Sequence, residues 1–229
     1  VLVRSYAPYA AGSGISEIKC VLSGFAIRGF LSARTLAIKS LGLPLAIASG
    51  LSVGKEGPAV HVACCIGNTI AHALRWLVPS HAKLRELLTA SSAAGVAVAF
   101  GSPVGGVLFA LEEMTSHFPP HTMWRTFLCA LASTVVLSFM NPYRTGKLVL
   151  FQVEYNDTWH YFEILSFVLL GVFGGLYGEY VVRFHLQVQR FRRKYLSHLG
   201  VQEAILLAVL TAMILSLIHI SEPTRLRRI

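Results

Sequence analysis

From Leu87 to Leu111 the chain carries no ionisable side chain. A helix crossing the hydrocarbon core takes about 20 apolar residues, so this run is long enough to span a bilayer. It does not read as one straight rod. Gly95, Gly101, Pro103, Gly105 and Gly106 lie inside it, and they predict two shorter helices meeting at a break near Phe100–Val104. Broken helices at membrane depth are tolerated where they line a cavity or are buried in protein. The alternative is a single kinked span. Ser91, Ser92, Ala93, Ala94 and Gly95 keep one stretch narrow enough for close helix approach.

The composition agrees with a membrane origin. Charged residues make up 14% of the chain and hydrophobic ones 54%, against roughly 25% charged in a soluble domain. The mean hydropathy is +0.60. A net charge of +9 would raise nucleic acid as a partner in a soluble protein. Here the basic residues gather at the ends of apolar runs, which the topology rule for membrane proteins explains more economically. No basic stripe with interleaved aromatics and no zinc-finger spacing appears, so no nucleic-acid partner is expected. Cys20, Cys64, Cys65 and Cys129 form no C-x-x-C pair and read as small buried hydrophobes. The chain opens without Met, and the expectation is that an N-terminal portion is missing.

The pentapeptide Gly54-Lys55-Glu56-Gly57-Pro58 separates the apolar run Leu43–Val53 from Ala59–Ile66. Two glycines and a proline break one helix and start another, with Pro58 suited to the first turn. A helix start presents unpaired N–H groups and the positive end of its dipole, a place for an anion. Glu56 stands beside it. Two readings stand on these residues alone: a functional carboxylate at an anion site, or an exposed turn with Lys55 and Glu56 solvated. Upstream, Gly12-Ser13-Gly14-Ile15-Ser16-Glu17 is a second polar turn, ahead of the helical pattern Ile18, Val21, Leu22, Phe25. Arg34 and Lys39 interrupt Leu31–Ser49, and such side chains either snorkel to an interface or face other protein.

Glu112-Glu113 closes the uncharged run. Adjacent helical residues point about 100° apart, so at most one faces a given pathway; both are equally readable as interfacial carboxylates. A metal site with His61 or His117 finds no H-x-x-x-H or H-E-x-x-H spacing, so no metal or cofactor is expected. Further apolar segments are Thr126–Met140, Ile164–Gly178 and one beginning at Ala204. The polar stretch Asn141–Glu163 between the first two holds Tyr143, Tyr155, Trp159 and Tyr161, aromatics of the interfacial kind. Gly171, Gly174, Gly175 and Gly178 give overlapping G-x-x-x-G spacings and predict helix packing. Beyond them Arg183, Arg190, Arg192, Arg193 and Lys194 are read as a short cytoplasmic loop. That puts Asn141–Glu163, with the sequon Asn156-Asp157-Thr158, on the lumenal or external side. The segment from Leu215 to Ile229 resembles a read-through sequencing adapter and is set aside as a non-native tail.

Three motifs in order, Gly12-Ser13-Gly14-Ile15, then Gly54-Lys55-Glu56-Gly57-Pro58, then Ala99-Phe100-Gly101-Ser102-Pro103-Val104-Gly105-Gly106-Val107-Leu108-Phe109-Ala110-Leu111-Glu112-Glu113, resemble the CLC family of voltage-gated chloride channels and chloride/proton antiporters. The likeness covers about residues 2–214. His61-Val62-Ala63-Cys64-Cys65 is similar to the intracellular eukaryotic branch, and Ser16 stands where the family usually has proline, as in some fungal members. The resemblance implies an all-α membrane protein with a partial CLC fold: the first inverted repeat and the start of the second, in tilted and broken helices. It implies a homodimer in the full-length protein, each subunit with its own pathway, in an endosomal, Golgi or vacuolar membrane.

The resemblance further implies chloride binding by Ser13, Gly14, Ile15 and Glu56, with Ser13 favouring chloride over nitrate. Glu56 takes the part of the external gating glutamate and Glu113 that of the internal proton-transfer glutamate. Chloride and protons are the expected substrates, in exchange. A passive voltage-gated channel is the alternative. A membrane hydrolase using Ser13 or a His61/Glu113 pair lacks the G-x-S-x-G elbow and zinc-ligand spacing, so no enzyme activity is expected. The helices and tyrosine that complete the chloride site, and the CBS domains usual in eukaryotes, are expected beyond this chain. A product ending near Ile214 holds about half the inverted repeat and is expected not to transport alone.

Overall fold

The computed structural model of the protein describes residues 2–51, 53–74, 76, 80–115, 119–140, 144, 160–196 and 198–221. The chain divides into two compact units, Val1–Gln152 and Val153–Ile229. Among the described residues there is no strand, in keeping with an all-α membrane protein.

In the first unit α1 (Leu2–Tyr6) and a 3-10 turn (Pro8–Ala10) precede α2 (Ile15–Leu22), α3 (Ala33–Ala48), α4 (Glu56–Ala73), α5 (His81–Phe100), α6 (Pro103–Phe109), a π-helical turn (Ala110–Met114) and α7 (Pro120–Met140). The expected break in the uncharged run is present. Gly101 ends α5 in the left-handed region at φ 66°, where its N–H still reaches Ala97 O. Ser102 then caps α6 by accepting from Gly105 N at 3.2 Å, and Pro103 takes the first helical position. Glycine after a helix end, serine at the N-cap and proline at N1 are each favoured at those places. Three adjacent residues therefore stop one helix and start the next.

The central element is α5, every residue of which is buried from Leu88 to Ala97. It packs against α4, α6 and α7, and a helix enclosed on all sides needs no polar face. Small residues set the spacing. A Cβ on Gly95 would stand 2.9 Å from Val60 Cα and 3.2 Å from Ala59 O, and one on Gly106 would run into Ala93 O. On α7 the buried residues are Thr122, Thr126, Ala130 and Thr134, a stripe at intervals of four. Gly95→Val is expected to push α4 from α5 and cost about 1–3 kcal/mol of stability. The measurement is thermal unfolding of the full-length protein in detergent, where an unchanged transition would contradict this packing account.

The second unit contains α8 (Glu163–Tyr195) and α9 (Gly200–Ser221). Together with α7 they supply three helices long and apolar enough to cross a membrane: Pro120–Met140, Glu163–Tyr195 and Gly200–Leu217. Two expectations change here. Arg183, Arg190, Arg192, Arg193 and Lys194 lie within α8, not in a loop. No glycine or proline interrupts Glu179–Leu199, Arg and Lys are good helix formers, and cations in a last turn suit the helix dipole. Arg183 pairs with Glu179 one turn back, and Arg192 grips Glu203 of α9. The expected partner of the G-x-x-x-G face is not among the described residues of this chain: a Cβ on Gly171, Gly174, Gly175 or Gly178 meets none of them within 4 Å.

Smaller differences follow from local geometry. Helix α2 ends at Leu22, because Ser23-Gly24 turns the chain with Gly24 at φ 109°. Phe25 thus falls outside the predicted helical pattern and is exposed. Cys64 and Cys65 are buried, but Cys20 is exposed. The sequon and Tyr143, Tyr155 and Trp159 lie outside the described residues, while Tyr161 is exposed. The expected domain boundary at Leu215 falls within α9.

Candidate anion and proton site

Two helix starts meet at the predicted site. Gly14 holds the left-handed conformation, φ 88°, immediately before α2. A Cβ there would stand 2.6 Å from His61 Nδ1 on α4, so both backbone and space require glycine. One residue earlier, Ser13 reaches the first turn of α4: a Cβ on Gly57 would collide with Ser13 Oγ and lie 3.3 Å from Ile15 Cδ1. Ser13, Ile15 and the Glu56-Gly57 start are therefore brought together from sequence positions far apart.

Neither helix start is closed by a side chain. Gly14 caps α2 and Lys55 caps α4 without a side-chain hydrogen bond. By contrast Ser32, Ser80 and Ser102 cap α3, α5 and α6. The first intrahelical bonds run from Ile18 N to Gly14 O and from Ala59 N to Lys55 O. The amides of Ile15, Ser16 and Glu17, and of Glu56 and Gly57, precede them, and Pro58 has no N–H. These are the N–H groups an anion uses at a helix N-terminus.

Glu56 is the first residue of α4 and is partly buried. Its Oε2 lies 2.9 Å from where a Cβ on Gly54 would stand, so the carboxylate folds back over the loop that leads into its helix. Among the described residues it makes no hydrogen bond or ion pair. Glu113 is placed differently. It sits in the π-helical turn after α6, where Thr115 Oγ1 donates to Ala110 O, and it pairs with Lys19 Nζ of α2 at 2.9 Å. Glu112 is exposed and does not share that lysine. The structure does not bring Glu56 and Glu113 into contact. Helix α2 runs between their surroundings, with Ser13 before its first turn and Lys19 toward its end.

The sequence did not reveal the support behind Ser13. Lys39, on α3, is 4% exposed. Its ammonium donates to Gly12 O at 2.9 Å and Ser13 O at 3.3 Å and lies 2.7 Å from His61 Nδ1. Three acceptors match its three donors. His61 Nδ1 therefore accepts, which leaves Nε2–H to donate to Phe30 O at 3.1 Å. The His61 ring also stacks on Phe30, centroids 4.1 Å apart. The only sequence signal was a lysine inside an apolar run. Of the two readings given to Lys39, facing other protein is the one observed.

This arrangement leaves His61 no role beside Glu113, so the His61/Glu113 hydrolase pair does not form. Among the described residues no three His, Cys, Asp or Glu side chains converge as a metal site; His117 lies outside them. What the site offers is a hydroxyl, uncapped amides, a buried ammonium and an unpaired carboxylate, a set suited to holding a small anion against a movable negative charge.

The family model described as Voltage gated chloride channel matches residues 1–226. The chain belongs to the voltage-gated chloride channel family. Within this family it is 71% identical over 213 residues to a Mycosarcoma maydis protein named "Probable chloride channel protein", which covers 93% of this chain and 19% of that protein. It is 52% identical over 214 residues to the human H(+)/Cl(-) exchange transporter 3, covering 93% of this chain and 26% of that protein. With the human H(+)/Cl(-) exchange transporter 5 it shares 50% over 225 residues, covering 98% and 27%. The chain thus spans between a fifth and about a quarter of the length of these relatives.

Proposed function

We propose that the full-length protein containing this chain exchanges chloride for protons across an intracellular membrane, endosomal, Golgi or vacuolar, as a homodimer embedded in lipid. The observation that carries the reading is the unpaired Glu56 at an uncapped helix start, against Ser13 at a second uncapped start. Chloride would bind Ser13 Oγ and the amides near Gly14 and Ile15. An ionised Glu56 competes for the positive end of α4; once protonated it loses that hold and admits the anion. One carboxylate then serves as gate and proton carrier. The names of the human relatives, both exchange transporters, favour exchange. Passive conduction is the second reading, favoured by the name of the fungal relative. Residues 1–214 are assigned to the transmembrane domain and 215–229 to a non-native tail.

Glu113 is assigned to proton delivery from the cytoplasmic side, with Lys19 as the partner it must leave to take a proton. The test is Glu113→Ala in the full-length protein, with chloride current and pH recorded together. Proton movement should fall to background while chloride flux persists. Undiminished proton coupling would overturn the assignment of Glu113, and a wild-type protein that moves chloride without protons would favour passive conduction.

A further inference from the structure

Away from the anion site, the end of α2, the turn that leads to α3, the end of α4 and the start of α5 enclose a cleft of about 790 Å³. Its floor is apolar, with Val21, Ile27, Leu31 and Leu84 continuing the hydrophobic core. Its walls also carry Arg28 and Arg85, and no carboxylate is among its lining residues. Arg85 lies across the turn after α2, its Nη1 3.5 Å from where a Cβ on Gly24 would stand. Among the described residues neither guanidinium makes an ion pair or hydrogen bond; the only side-chain bond at Arg85 is Thr89 Oγ1 donating to its carbonyl. The exposed Trp76 follows α4 close by in sequence, an aromatic of the kind found at membrane interfaces.

We infer that this cleft binds an anionic phospholipid, its headgroup phosphate between Arg28 and Arg85 and part of an acyl chain on the apolar floor. The volume is that of an ordinary ligand pocket. A zwitterionic lipid brings its phosphate together with an ammonium that offsets it, so two guanidinium groups would meet no net counter-charge, and a soluble phosphate would leave the apolar floor uncovered. An acidic lipid satisfies both surfaces. Position agrees with this occupant. Glu86, beside Arg85, binds His121 and Arg125 at the start of α7, so the cleft lies at the end from which α7 enters the bilayer. The charge rule applied along the sequence, with the cluster Arg190–Lys194 two crossings later, after α7 and α8, assigns that side to the cytoplasm. That leaflet holds the anionic lipids. The site is independent of the chloride and proton assignment.

The experiment uses the full-length protein in phosphatidylcholine vesicles containing a minor share of phosphatidylserine, with retained lipid measured by native mass spectrometry after extraction. Wild type and Arg28→Lys/Arg85→Lys should retain phosphatidylserine in preference to phosphatidylcholine. Arg28→Gln/Arg85→Gln should lose roughly tenfold of that preference, with chloride flux in the same vesicles showing that the variant is folded. Ala26→Trp, which fills the cleft from an exposed loop and keeps both charges, should also expel the lipid. Excess inorganic phosphate should leave it bound. Equal retention in the wild type and both the Gln and Trp variants, retention of phosphatidylcholine as strong as phosphatidylserine, or displacement by phosphate alone would overturn the inference.

Discussion

Lys39→Met is expected to lower stability by about 3–5 kcal/mol, because it leaves Gly12 O, Ser13 O and His61 Nδ1 facing a thioether with no donor. The side chain is nearly the same length, so volume loss contributes little. The effect is a loss of hydrogen bonds in a place water does not reach: Lys39 and His61 are 4% and 0% exposed. It should also reach function. The two carbonyls that Lys39 holds belong to the loop that carries Ser13, so release of that loop should weaken chloride binding as well as the fold. His61→Gln, which keeps an acceptor for the ammonium, should lose less than Lys39→Met. Thermal unfolding of the full-length protein in detergent gives the stability, and chloride flux at graded concentrations gives the affinity. A Lys39→Met protein with wild-type melting and wild-type chloride dependence would show that the network supports neither.

This network also marks the limit of what the sequence discloses. The break between α5 and α6 was legible because Gly101, Ser102 and Pro103 each act locally, through a positive φ, a side-chain cap and a fixed ring. The start of α4 at Glu56 was legible for the same reason. Lys39 and His61 are 22 residues apart, on different helices, and their pairing is decided by how α3 and α4 cross. No local pattern records that. Lys19 and Glu113 are 94 residues apart, and the motif that singled out Glu113 carried no sign of its partner. The basic cluster misled in the opposite sense: it suggested a loop, whereas helix propensity and the Glu179–Arg183 and Arg192–Glu203 pairs carry α8 through it. That Ser13 and Glu56 serve one chloride site was implied only by resemblance, and the close approach of Ser13 to Gly57 was not foreseen. Its physical basis, a glycine where any side chain would strike the hydroxyl, became visible when the two helix starts were seen together.

Glu56→Ala is expected to separate the two ion movements. The variant removes the charge that competes with chloride at the start of α4, so the anion no longer has to displace it. It also removes the group that takes up a proton when chloride enters. Chloride flux should therefore continue, and proton movement linked to it should disappear rather than merely slow. Glu56→Gln should behave alike, since a neutral amide neither competes as an anion nor titrates. The effect is specific to this carboxylate: Glu112, exposed and without a place at the helix start, should tolerate Ala with coupling intact. The most direct measurement reconstitutes the full-length wild type and Glu56→Ala in sealed vesicles, imposes an outward chloride gradient with no pH gradient, and records chloride and internal pH together. The wild type should draw protons inward as chloride leaves, and Glu56→Ala should release chloride with no linked pH change. Proton uptake that persists at the wild-type ratio to chloride in Glu56→Ala would contradict the account.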